Sequence, residues 1–191
     1  MTEQMPVIMR AAVEHDVRFA ERIIDTLAVP YDVAVDIVDA YGTYAETIVR
    51  GAFEGVEKRS RRVKVLRDHA PQRAVGRCTH IDSDAEQGLL ASMLIARTDL
   101  GDETLALAAE GVLDVSICAR PLPGGDDWTV TRDAVRRTKL FLEELSLVVV
   151  GAYGEVGAGV LAVRAAAPAG SVTPHLDAVR AWRAEVRYSR I

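Results

Sequence analysis

A histidine, a serine and a pair of glutamates are the residues of this sequence whose types could carry nucleophilic or acid–base chemistry. His69 follows Asp68 at the end of a predicted strand and precedes Pro71, so we expect it at a strand end beside a turn. Ser116 is a single hydroxyl inside the apolar run LDVSIC. Serine catalysis needs a base within hydrogen-bond reach and a third group that holds the base. Sequence order does not show such proximity, and a buried strand serine usually bonds a nearby carbonyl.

Glu143 and Glu144 interrupt the apolar segment KLFLEELSLVVVG, which is predicted to be a strand. Neighbouring strand residues point to opposite faces, so only one of the two carboxylates points inward. The alternation places Glu144 with Leu142 and Ser146. An inward carboxylate must be paired or hydrogen-bonded, because burying it alone costs several kcal/mol. A histidine and an arginine are both natural partners for it.

Metal and nucleotide sites have weaker support in the sequence. Cys78 and His80 share a face of a predicted strand, but two ligands do not make a zinc site. We therefore expect no metal and no cofactor. The glycines of 151–159 follow a strand with the spacing GxxGxxGxG, whereas a dinucleotide-binding turn has GxGxxG. A nucleotide-binding module at 151–159 is therefore the weakest functional hypothesis.

Strands are the elements that must position these candidates. Alternating or continuous apolar runs predict strands over 58–67, 74–81, 87–97, the LDVSICAR segment, 128–135 and 138–150. The segment DETLALAAEGV predicts a helix with Asp102 as its N-cap and Gly111 just past its end. Apolar residues at helical spacing from Val17 to Leu27 predict a second helix over 14–27, and a third is predicted over 172–191. The fold class is α+β, mainly β, as a barrel or wrapped sheet with a few helices.

Composition bounds the domain organisation and the class of protein. A chain of 191 residues with 49% hydrophobic and 27% charged residues fits one globular domain with a real core. We divide it into a helical N-terminal segment (1–30), a main domain (31–160) and a C-terminal segment rich in alanine and arginine (161–191).

Charge and cysteine content limit the partners and the compartment. The net charge of −5 argues against a surface built to bind nucleic acid, and the basic run at 58–67 has no interleaved aromatics to stack bases. Two cysteines do not make a disulfide framework. Since no apolar run is long enough to span a membrane and the first residues lack a secretory signal pattern, we expect a soluble cytoplasmic protein.

Several segments, taken in order, resemble the HK97-type prohead proteases of tailed phages over residues 40–153. The residues that carry the resemblance are Gly51-Ala52-Phe53, Asp68-His69, Pro71, Val75-Gly76, Gly111 to Ser116, and Glu144 to Val148. The family commonly has Gly-Leu-Ser-Ile-Gly-Phe around its nucleophile. This chain differs there, with Asp114 and Cys118 among the replacements.

The resemblance implies a serine endopeptidase whose domain at 31–160 has the fold of the herpesvirus assemblins, a β-barrel wrapped by a few helices. It implies that Ser116 is the nucleophile, His69 the general base and Glu144 the third member, with Glu143 and Asp114 as rivals for that place. Such an enzyme cleaves a scaffolding protein or an extension of the major capsid protein during procapsid maturation, and also itself.

The same resemblance implies a place of action and partners. We expect the chain to work inside the assembling procapsid in the bacterial cytoplasm, with the major capsid protein or scaffolding protein as partner and with a second copy in a dimer. An alternative hypothesis follows from the replacements at Asp114 and Cys118: a protein with the protease fold that serves capsid assembly without cleaving anything.

Overall fold

The computed structural model describes residues 8–12, 16–18, 21–39, 42–151, 153–154, 157 and 159–164. This part of the chain is mainly β with two helices, which confirms the predicted α+β, mainly β class. The strands are β1 (Ile8–Ala12), β2 (Asp16–Arg18), β3 (Ile23–Pro30), β4 (Ala34–Asp39), β5 (Gly42–Ile48), β6 (Lys64–Arg67), β7 (Ala70–Asp82), β8 (Gly88–Ile95), β9 (Asp114–Pro121), β10 (Asp126–Trp128), β11 (Ala134–Arg137), β12 (Leu140–Val148) and β13 (Gly159–Arg164). A 3₁₀ helix, η1 (Val56–Arg62), precedes β6, and the α-helix α1 (Asp99–Ala109) connects β8 to β9.

Nine strands form one sheet in the order β1-β9-β12-β6-β7-β8-β3-β13-β2, and this sheet curls into a half-barrel. A smaller sheet has the order β10-β11-β5-β4. The hydrophobic core includes Val115 and Ile117 of β9 and Leu145 and Leu147 of β12. Because side chains alternate along a strand, the residues between them lie on the opposite, outer face of the sheet.

The prediction of a helix over 14–27 is wrong, because the described residues of this region form β2 and β3. β3 pairs with β13 on one side and meets β8 on the other, and its residues from Thr26 to Pro30 are all buried. A strand buried on both faces is a continuous apolar run, and such a run also satisfies helical spacing. The nine-stranded sheet combines β1, β2 and β3, which precede residue 31, with strands of the predicted domain at 31–160, and its strand β13 runs past residue 160. The domain division itself stays a prediction, and the helix predicted over 172–191 lies outside the described residues.

Helix α1 begins one turn earlier than predicted. The side chain of Thr98 accepts a hydrogen bond from the Gly101 N–H at 3.1 Å, so Thr98 is the N-cap and the prediction of Asp102 was wrong. Asp102 lies inside the first turn and forms an ion pair with Arg22 at 2.6 Å. Gly111 has φ of +70°, which suits the left-handed residue that follows a helix end.

The basic segment 58–67 is only in part a strand. Residues up to Arg62 belong to η1, and the strand β6 begins at Lys64. The predicted alternation holds only at the start of β6, where Lys64 is exposed and Val65 is fully buried, because Leu66 and Arg67 are both buried as well.

Candidate active site

A tight hairpin between β6 and β7 presents His69. Asp68 and His69 are the two loop residues, and both have positive φ, 56° and 54°. Two-residue hairpins favour turns with positive φ at both positions, and Asp and His tolerate this conformation better than most residues. The Asp68 N–H donates to the Leu147 carbonyl at 3.2 Å, and the Asp68 carboxylate pairs with Arg73. The bond to Leu147 holds the hairpin against β12, and the pair with Arg73 lies within the hairpin itself.

Ser116 lies beside this hairpin on the outer face of the sheet. It is in register with Ser146 of β12, and Ser146 is in register with Leu66 of β6. The neighbours of Ser116 along β9, Val115 and Ile117, are fully buried in the core. Alternation along β9 therefore turns the hydroxyl away from the core and towards the His69 ring.

The structure brings His69, Ser116 and Glu144 together in one chain of hydrogen bonds. His69 Nε2 lies 2.6 Å from Ser116 Oγ, and His69 Nδ1 lies 2.6 Å from Glu144 Oε1. An ionised carboxylate only accepts hydrogen bonds, so Nδ1 carries a proton and donates it to Glu144. In the neutral ring Nε2 then accepts the hydroxyl proton of Ser116. This is the tautomer in which a histidine can act as a general base towards a serine.

Ser146 holds both Glu144 and the backbone of His69 in place, and sequence reasoning missed this residue. Its hydroxyl donates to Glu144 Oε2 at 2.8 Å and accepts the backbone N–H of His69 at 3.1 Å. One buried hydroxyl thus ties the carboxylate to the backbone that carries the imidazole. The predicted alternation placed Ser146 on the face of Glu144, and that signal could have identified it.

A β-bulge at Glu143 separates the two glutamates. The register between β12 and β9 shifts between Leu142 and Glu144, so Glu143 has no partner of its own across the strand pair. The bulge also reverses the alternation: Leu142 is in the core, whereas Glu144 faces outward. The prediction that Leu142 and Glu144 share a face was therefore wrong. The Leu142 carbonyl accepts a hydrogen bond from Arg59, whose guanidinium stacks on Phe141.

The two rival carboxylates have other partners. Glu143 forms an ion pair with Arg120 at 2.9 Å. Asp114 Oδ2 accepts the backbone N–H of Gly151 at 2.9 Å, and burial raises the pKa of the Asp114 carboxyl above its usual value. Among the described contacts, Glu144 is therefore the acid that reaches the His69 ring.

Cys118 lies two residues beyond Ser116 along β9 and opposite Glu144. Burial, followed by the nearby charges of Glu144 and Glu143, raises the pKa of the Cys118 thiol to about 12. The thiol is therefore neutral at physiological pH and is not a rival nucleophile, since the reactive form is the thiolate.

The site is largely shielded from water. Ser116 is 3% exposed, and the side chains of His69 and Glu144 are 14% and 12% exposed. Electrostatic interactions are stronger in such surroundings than in water. A charge that develops on the His69 ring would therefore be stabilised strongly by Glu144.

The other candidates from the sequence are not brought together in the part of the chain that the structure describes. Within the described residues no group of three or more His, Cys, Asp or Glu is placed to hold a metal ion. Cys78 is buried while His80 is exposed, so the two do not share a face. In the glycine-rich segment, Tyr153 is buried and its hydroxyl donates to Glu46 at 2.8 Å. None of the helices in the described part is long and apolar enough to cross a membrane.

Comparison with known proteins identifies one family. A family model described as caudovirus prohead serine protease matches residues 14–167, which is most of the chain. No curated protein and no solved structure matches the chain. The likeness to an assemblin barrel therefore stays a prediction from the sequence.

Proposed function

Because the chain belongs to the caudovirus prohead serine proteases and is therefore a serine peptidase, we propose that Ser116, His69 and Glu144 are its catalytic triad. The observation that carries the proposal is the position of the His69 ring, whose two nitrogens lie 2.6 Å from Ser116 Oγ and 2.6 Å from Glu144 Oε1. The three residues lie in the segments on which the resemblance to the family rests, and Glu144 is the acid that bonds the ring.

In this mechanism Ser116 Oγ attacks the carbonyl carbon of the scissile peptide bond while His69 Nε2 takes the hydroxyl proton. The tetrahedral intermediate collapses, the C–N bond breaks, and His69 returns the proton to the leaving amine. Water then attacks the acyl-enzyme, with His69 again as base, and releases the new carboxylate and free Ser116. Glu144 keeps Nδ1 protonated throughout and stabilises the imidazolium, while Ser146 holds Glu144 in place.

Family membership implies an association with capsid or scaffold proteins and action within the assembling procapsid. We further propose that the cleaved polypeptide is a scaffolding protein or an extension of the major capsid protein, and that the enzyme also cleaves itself as a dimer. The family's role in capsid maturation supports this choice of substrate.

Co-expression with the capsid and scaffold proteins of the same phage tests the proposal. Intact mass should show discrete fragments of a capsid or scaffold protein with the wild type and none with Ser116→Ala. Ser60→Ala is the matched control, because Ser60 is a buried serine of η1 whose hydroxyl donates to the Glu57 carbonyl at 2.7 Å. Equal fragments with wild type and Ser116→Ala would refute the triad. Intact partners with a folded wild type would favour an assembly protein that cleaves nothing.

A further inference from the structure

The face that carries the triad continues sideways across three more strands. Cross-strand partners share a face, and one row of partners crosses the sheet from β9 to β8. Its members are Cys118, Glu144, Lys64, Arg77 and Leu94. The row begins at Cys118, two residues beyond Ser116 along β9. It passes Glu144 and then reaches Lys64 and Arg77 on the next two strands. A polypeptide bound at Ser116 and crossing the strands would therefore lie over basic residues.

A pocket of ≈ 500 Å³ lies at the far end of this row. Lys64, Arg77 and Arg97 line it, and we call these three residues and the space between them the basic pocket. The volume is within the range of sites that bind ligands or several peptide residues. The pocket is thus large enough to receive side chains of a bound polypeptide.

The three cations of the basic pocket are available to a ligand. Lys64 and Arg97 are exposed, and Arg77 is half-buried with a hydrogen bond to the Cys78 carbonyl at 3.3 Å. The ion pairs formed among the described residues involve other cations and none of these three. Two further charged residues line the pocket. Arg22 is held by Asp102 and by the carbonyls of Ile95 and Ala96, and the lining acid Glu21 lies 3.9 Å from Arg164. A ligand carboxylate would therefore meet unpaired positive charge.

The spacing of the strands fixes how far the basic pocket lies from the reacting bond. Strands lie about 4.8 Å apart, so β6 and β7 are about 10 and 14 Å from β9 across the sheet. An extended peptide advances about 3.3 Å per residue. A substrate side chain in the basic pocket would thus belong to a residue about three or four positions from the scissile bond.

We propose that the basic pocket is a specificity site that binds aspartate or glutamate side chains of the polypeptide substrate, close to the bond that Ser116 cleaves. The proposal rests on the proposed function, because it takes the acidic segment to be part of the substrate of the triad. It makes the protease selective for polypeptides with acidic residues at that distance. Charge complementarity of this kind raises both the rate of encounter and the selectivity for the right partner.

Peptide binding to the folded Ser116→Ala protein tests this site without any need for turnover. The probes are a fluorescein-labelled peptide of alternating alanine and glutamate and its counterpart with glutamine, both followed by fluorescence anisotropy at low and high salt. We expect the glutamate peptide to bind about tenfold more tightly at low salt, because three pairs at exposed or half-buried cations contribute modestly each. The difference should shrink at high salt, which screens exposed charges.

Variants within Ser116→Ala locate the effect. Arg77→Gln and Arg97→Gln should each weaken binding of the glutamate peptide about threefold and leave the glutamine peptide unchanged. Arg136→Gln is the matched control, because Arg136 is an exposed arginine of β11 in the smaller sheet. Equal affinity for the two peptides would overturn the proposal, and so would an equal loss with Arg136→Gln. A failure of the triad would appear separately, as wild type whose Ser116 does not react with a fluorophosphonate.

Discussion

Replacing Glu144 with glutamine removes the negative charge that faces His69 while keeping the size of the side chain. Glu144 accepts two hydrogen bonds, from His69 Nδ1–H at 2.6 Å and from the Ser146 hydroxyl at 2.8 Å. The two donors contact different oxygens, Oε1 and Oε2, so the carbonyl oxygen of a glutamine can take only one of these places and its NH₂ group takes the other. If its NH₂ group faces the ring, Nδ1 must give up its proton. Nε2 then carries a proton and no longer accepts one from Ser116.

The expected loss follows from the charge on the imidazolium. Two unit charges about 4 Å apart interact by about 4 kcal/mol at the effective dielectric constant of a partly buried site. The site fits that case, because the side chains of His69 and Glu144 are 14% and 12% exposed. A loss of about 4 kcal/mol in the transition state slows the reaction about 1000-fold.

A fluorophosphonate measures this effect without a known substrate. Ser116 Oγ attacks phosphorus, fluoride leaves, and the adduct is followed by intact mass over time. Glu144→Gln should label about 1000-fold more slowly than wild type. Glu143→Gln is the matched control and should label at nearly the wild-type rate, because Glu143 pairs with Arg120. The reasoning is refuted if folded Glu144→Gln reacts as fast as wild type, or if the two variants lose equal activity.

Three further variants test other parts of the structure. Ser146→Ala removes the hydroxyl that holds Glu144, so we expect labelling about tenfold slower with an unchanged circular dichroism spectrum. Glu46→Gln weakens a pair in which Glu46 is fully buried and Arg137 nearly so, and urea titration should show about 3 kcal/mol less stability. Burial raises the pKa of the Asp114 carboxyl, so the folded state holds its proton more tightly and the stability that Asp114 contributes falls as pH rises through the carboxyl range. Asp114→Asn should therefore melt at a higher temperature than wild type at neutral pH and at the same temperature at acid pH. Contrary results would be wild-type labelling by Ser146→Ala, wild-type urea stability of Glu46→Gln, and a pH-independent difference for Asp114→Asn.

The sequence was sufficient to predict the strands near the site, because each is marked by short-range signals. The strand at Ser116 is a short apolar run, and the turn at His69 is marked by Asp68 and Pro71. Gly111 identified the end of α1 for the same reason, since its positive φ depends only on local backbone geometry. These signals needed no knowledge of distant parts of the chain.

Features that depend on distant pairing were not predictable in this way. The helix predicted over β3 followed from its continuous buried run, and its strand structure depends on pairing with β13, far along the chain. The bulge at Glu143 results from the register of β12 against β9, so simple alternation assigned Leu142 to the wrong face. The link from Ser146 to the His69 backbone likewise exists only once the hairpin folds over β12. The resemblance to a family supplied the proximity that the residues alone could not.

The site of covalent modification tests the central claim most directly. Wild-type protein treated with a fluorophosphonate and then digested should carry the adduct on the peptide that contains Ser116, and His69→Ala should carry almost none. This is the result that the hydrogen bond between His69 Nε2 and Ser116 Oγ predicts. An adduct on a different serine, or a folded wild type that forms no adduct, would contradict the assignment of Ser116 as the nucleophile.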